Sequence, residues 1–123
     1  MADLSGTWLG TYWQWGVPTR FEATLVQSGN AFQGNILDDS FLGEAKVSGE
    51  IVGRSIRFTK SYLTTSSDPI IYTGTLAESE DFMLGQWRIF GFDSGPWEAR
   101  RGGEELMSSL RSRLANQIPL GVP

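Results

Sequence analysis

Asp38, Lys60, Tyr62 and Tyr72 are the side chains of this sequence best suited to chemistry. Lys60 lies in Ile56-Arg57-Phe58-Thr59-Lys60-Ser61-Tyr62. Alternate side chains of an extended strand share a face, so Lys60 points the same way as the apolar Ile56 and Phe58 and the aromatic Tyr62. A charge on that face needs an ion partner, hydrogen bonds or water in a cavity. Three roles are open to it. It is a rim lysine whose stem covers apolar surface, or a structural ion pair, most simply with Asp38 and alternatively with Glu44. In the third role it is a cation that fixes an anionic or carbonyl group of a ligand, with Tyr62 and Tyr72 as hydrogen-bond donors. The same four residues could form an acid–base cluster in a low-dielectric cavity. Trp8, Trp87 and Trp97 share the inward parity. Trp8 reads as core, whereas Trp87 and Trp97 read equally as core or as walls for a flat ligand.

Composition removes much of the competing chemistry. The 123 residues contain no cysteine and no histidine, so a disulfide framework, thiol chemistry, the commonest general base and the commonest metal ligand are all missing. No metal site and no cofactor is expected, and no nucleophile triad or phosphate loop is present. The formal net charge is −4 with no basic run, which speaks against nucleic acid and anionic membranes as partners. The opening Met1-Ala2-Asp3-Leu4-Ser5-Gly6 holds no apolar signal stretch, and a cytoplasmic protein is expected.

The elements that must position these residues are short strands. Eight strand-like runs, at about 5–14, 19–28, 31–38, 44–52, 55–63, 70–78, 81–90 and 96–101, alternate with Gly, Asn, Asp, Ser and Pro breaks. Tight hairpins are predicted at Ser28-Gly29-Asn30, Val52-Gly53-Arg54 and Glu78-Ser79-Glu80, and longer connections at 15–18, 39–43, 64–69 and 91–95. Short and long connections alternate. In an up-and-down meander the long ones gather at one end, and eight such strands close into a barrel that is packed shut or holds one small ligand. The fold class is therefore all-β, an eight-stranded antiparallel up-and-down barrel. Mid-strand glycines on the inward face, among them Gly34, Gly49 and Gly85, read as sites of strong curvature.

Strand direction assigns height. Tyr12, Gln14, Asp38, Lys60, Tyr62, Tyr72 and Trp97 fall near the long-loop end, and Leu25, Phe32, Ile51, Ile56, Leu76 and Met83 at the other. An apolar interior that turns polar and aromatic at its open end is the usual form of a small-molecule site. The expected ligand-binding set is Asp38, Lys60, Tyr62, Tyr72, Trp87 and Trp97. Beyond the barrel domain (1–101), apolar residues at 106, 107, 110 and 114 form a helical stripe opened by glutamates and closed by arginines. A C-terminal amphipathic helix over 102–118 is predicted, either plugging the barrel bottom or lying on the outer wall over Leu9, with 119–123 as a tail. Outward-facing Leu9, Trp13, Val26, Leu37, Ile71 and Leu84 suit a homodimer or tetramer.

Ser5-Gly6-Thr7-Trp8, Tyr72-Thr73-Gly74 and Gly85-Gln86-Trp87 together resemble the calycin-type barrels, and within them avidin and streptavidin more than the lipocalins. The resemblance spans roughly residues 4–101. It implies an up-and-down barrel with Trp87 as a ligand-wall tryptophan and Tyr72 in place of another. Gly10 falls near where an avidin presents a polar ligand contact, and the appended helix is not typical of that family. The expected function is binding of a small planar or anionic molecule at the long-loop end. The alternatives are an interaction module with a filled interior, acting through its outer apolar face, and a small barrel enzyme with isomerase-like acid–base chemistry.

Overall fold

In the computed structural model, which describes residues 2–40, 42–64, 68–89, 91 and 93–102, eight strands close into one barrel in sequence order. The strands are β1 (Gly6–Gln14), β2 (Val17–Ser28), β3 (Ala31–Asp38), β4 (Glu44–Val52), β5 (Ser55–Tyr62), β6 (Ile70–Leu76), β7 (Phe82–Ile89) and β8 (Asp93–Gly102). Every neighbouring pair is antiparallel, and β1 with β8 closes the cylinder from Thr7 opposite Gly102 to Tyr12 opposite Trp97. Period-two patterning drives this. In β2, Phe21, Ala23 and Leu25 are buried while Glu22, Thr24 and Val26 face outward. Closure also removes the unpaired sheet edges that would otherwise template aggregation. Among the described residues no helix is long and apolar enough to cross a membrane. The predicted C-terminal helix and tail lie outside the described residues.

Eight strands bend tightly, and glycine permits the bend. A Cβ on Gly34 would sit 1.9 Å from the Thr24 carbonyl oxygen, and one on Gly85 would sit 1.8 Å from that of Thr73. Both positions are therefore closed to any side chain without backbone movement. This is the curvature role that the inward glycines suggest in the sequence.

Two connections differ from the sequence expectation. The β1–β2 link is a two-residue hairpin at Trp15-Gly16, with Gln14 opposite Val17 and positive φ at both turn residues (52° and 77°). Such angles are those of a primed turn that matches strand twist. Pro18 discourages a strand reading here, but the β2–β3 ladder begins only at Phe21, so the missing N–H of Pro18 is not required. Pro96 masks the start of β8 in the same way: it pairs with Gln86 of β7 and precedes the ladder with β1. Conversely, the β6–β7 connection spans 77–81, longer than a tight hairpin. Loop length does not alternate strictly, yet the meander still sends 15–16, 39–43, 63–69 and 90–92 to one end.

The opposite end is shut by the N-terminal segment. Leu4 is fully buried beneath Trp8, whose indole N–H donates to the Leu4 carbonyl at 2.9 Å. Gln27 accepts from the Leu4 N–H at 2.8 Å and donates to the carbonyls of Ala2 and Gly29. Arg101 lies over the Trp8 ring at 4.4 Å and donates to the carbonyls of Ser5, Asp3 and Glu80. One arginine thus ties the N-terminal segment to the 77–81 turn. Burying a leucine contributes about 1.5–3 kcal/mol, so Leu4 is a plug with its own driving force.

Candidate functional site

Inward positions late in β1, β3 and β5 and early in β6 converge near the other end. Asp38 closes β3. Its N–H donates to the Gly43 carbonyl and that of Asp39 to the Arg20 carbonyl, which fixes the turn that follows. Lys60 is wholly inaccessible to solvent, and Asp38 is 4% exposed. The lysine ammonium donates to both Asp38 oxygens at 2.8 Å. Tyr12 donates its hydroxyl proton to Asp38 Oδ2 at 3.1 Å, and Tyr62 donates to the same oxygen. The ammonium also faces the rings of Tyr12 and Tyr62, each 4.8 Å from centroid, and of Tyr72 at 5.7 Å. Three π faces and a chelating carboxylate replace the water that a buried ammonium loses.

This packing shifts the titrating groups. Burial pulls the Lys60 ammonium below the usual lysine value, and the Asp38 charge and hydrogen bonds hold it partly up. Burial pushes the Tyr62 phenol far up, reinforced by its hydrogen bond to Asp38. Burial likewise raises Tyr72 well above the ordinary phenol value, with the Asp38 charge adding to it, and raises Tyr12. All three tyrosines are therefore held as neutral phenols.

Above this network lies a cavity of about 390 Å³, opening between the loops. Tyr12, Tyr62, Tyr72 and Trp87 form its aromatic walls, Leu42, Ile70 and Ile89 its aliphatic ones, and Gln14 and Asp68 complete it. That volume falls within the range of small-molecule sites. Below it the barrel is filled. Phe58 stacks on Tyr72 with ring centroids 4.7 Å apart, and Trp97 meets both rings edge-on. Trp87 is held in the wall by its indole N–H, which donates to the Trp13 carbonyl at 3.0 Å. Gly95 leaves it room, since a Cβ there would lie 2.8 Å from the indole nitrogen.

The six expected site residues therefore separate. Tyr62, Tyr72 and Trp87 line the cavity. Asp38 and Lys60 lie beneath the tyrosines and are not among its described lining residues, and the charge of Lys60 is matched by Asp38. Of the roles open in the sequence, the ion pair with Asp38 is the one adopted. Trp97 sits lower, its indole N–H donating to the Thr73 carbonyl at 3.1 Å, and belongs to the filled core. Tyr12 is missing from that set although it combines a cavity wall with a hydrogen bond to Asp38; its inward parity near the mouth was the available signal. Leu42 and Asp68 come from loops, where no periodicity marks them.

A larger hollow, about 770 Å³, lies open on the outer wall across β8, β1, β2 and the end of β3, where Leu9, Thr11, Glu22, Leu37 and Glu98 face out. Among its described lining residues the buried charged one is Asp38, which it shares with the network inside the barrel.

No family model matches the chain, and no curated protein matches it. Among solved structures, a de novo designed fluorescence-activating β-barrel shares the fold with a TM-score of 0.60 and 20% identity, over 81% of this chain and 94% of that one. The likeness shows the fold, an eight-stranded up-and-down barrel.

Proposed function

We propose that the barrel binds a small planar molecule in the mouth cavity, in the manner of avidin-like barrels but without their biotin contacts. One observation carries this reading: an otherwise filled barrel leaves about 390 Å³ walled by Tyr12, Tyr62, Tyr72 and Trp87 at its open end. Aromatic faces supply stacking area, and the phenol and amide groups supply orientation. Asp38 and Lys60 serve by fixing the tyrosines rather than by touching ligand. The raised phenol values favour binding over acid–base catalysis, because a phenol that holds its proton so firmly is a poor acid at neutral pH. That the designed barrel is described as fluorescence-activating is compatible with a ligand inside this kind of barrel.

A structural proposal accompanies it. Exposed apolar residues, Val26 and Leu84 among them, join copies of the chain into a dimer or tetramer. Native mass spectrometry of the purified protein tests the function and reports the subunit count. A small-molecule adduct on the wild type that disappears in Ile89→Trp, which fills the cavity, is expected. An adduct retained by Ile89→Trp would place the ligand elsewhere.

A further inference from the structure

Acceptors predominate among the polar atoms around the cavity. Tyr12 and Tyr62 donate their protons to Asp38, so their oxygens face a ligand as acceptors. The Gln14 amide nitrogen donates to Asp93 at 2.9 Å, which leaves its carbonyl oxygen to accept. Asp68 is the only charged side chain among the described lining residues. The Tyr72 hydroxyl and the second N–H of the Gln14 amide are the donors in the set.

The connections at this end carry only negative charge, while Arg20, Lys46 and Arg88 stand exposed on the outward faces of the adjoining strands. The connections at 15–16, 39–43, 63–69 and 90–92 contain Asp39 and Asp68 and neither lysine nor arginine. Glu44 and Asp93 begin the strands that follow two of them. Lys60 does not offset them, since both its hydrogen bonds go to Asp38 and three rings enclose it. A mouth with net negative charge concentrates cations, and tyrosine and tryptophan faces attract them at short range.

We infer that the mouth cavity selects a planar aromatic cation, an arylalkyl ammonium being the simplest case. Its ammonium meets Asp68, the Gln14 carbonyl and the phenol oxygens, and its ring lies against Tyr72 and Trp87. The inference rests on the proposed mouth-cavity reading and narrows it from a small planar molecule to one of positive charge. It also sets aside an anionic ligand, because no uncompensated cation faces the cavity among the described residues.

Three naphthalenes of matched shape separate the two levels: 2-naphthylmethylammonium, 2-naphthylmethanol and 2-naphthoate, titrated calorimetrically into wild type and Asp68→Asn. The ammonium is expected to bind about tenfold more tightly than the carboxylate at low salt, with the advantage shrinking in Asp68→Asn and on adding salt. Equal or tighter binding of 2-naphthoate would overturn the charge selectivity while leaving the cavity as the site. Binding of none of the three would overturn the cavity reading and the selectivity with it.

Discussion

The pairing of Asp38 with Lys60 is the unusual investment of this interior. Breaking a buried pair by removing one partner costs about 3–5 kcal/mol, because the other charge stays behind unpaired. Lys60→Met is therefore expected to lower stability by that amount in urea denaturation. Asp38→Leu combined with Lys60→Met is expected to recover part of it, since a hydrophobic pair has no charge to desolvate but deprives the Tyr12 and Tyr62 hydroxyls of their acceptor. The pH dependence has two limbs. Lys60 titrates below its unfolded value of 10.5, so across that window the unfolded chain binds more protons and stability rises with pH. Tyr12, Tyr62 and Tyr72 titrate above their unfolded value of 10.0, so their contribution is held below about that pH and lost as pH rises beyond it. Urea midpoints are expected to climb with pH below about 10 and to fall above it. Lys60→Met should flatten the climb and leave the fall. Strand parity was enough to place Lys60 inside and to offer Asp38, with Glu44 as the alternative, for an ion pair. It could not show that the pair would be sealed beneath the tyrosines, because parity assigns a face but not how far a four-carbon stem reaches along it.

At the scale of elements, curvature and closure decide what the strands can position. Gly34→Ala is expected to cost about 1–3 kcal/mol or more, because its Cβ would meet the Thr24 carbonyl oxygen on the neighbouring strand. The closed end depends on contacts between segments distant in sequence. Leu4→Ala should cost about 2–5 kcal/mol through the cavity it leaves. Arg101→Gln should release the N-terminal segment and the 77–81 turn together, seen as faster amide exchange at Ser5 and Glu80. The strands were legible because their inward and outward residues alternate so regularly. The plug was not: Leu4 precedes the first alternating run, and its burial depends on Gln27 and Arg101 from other strands. The β1–β2 hairpin was obscured by Pro18, whose tolerance there depends on where the β3 ladder begins, a fact of register rather than of composition.

For the whole molecule, the two ends of the barrel divide the work. The end sealed by Leu4, Trp8 and Arg101 gives the cylinder a rigid floor. The stack of Phe58, Tyr72 and Trp97 fills its middle, and the Asp38–Lys60 pair sets the tyrosines of its open end. Preorganised aromatic walls of this kind lower the ordering cost of binding. The most direct test of the mouth cavity as a binding site is a titration with 2-naphthylmethanol followed by nitrogen–proton NMR spectra of wild-type protein. Shifts concentrated at the Trp87 indole N–H and the backbone of Tyr12, Tyr62 and Tyr72 are predicted. Shifts confined to the outer wall around Leu9 and Leu37, or none at any site, would contradict it.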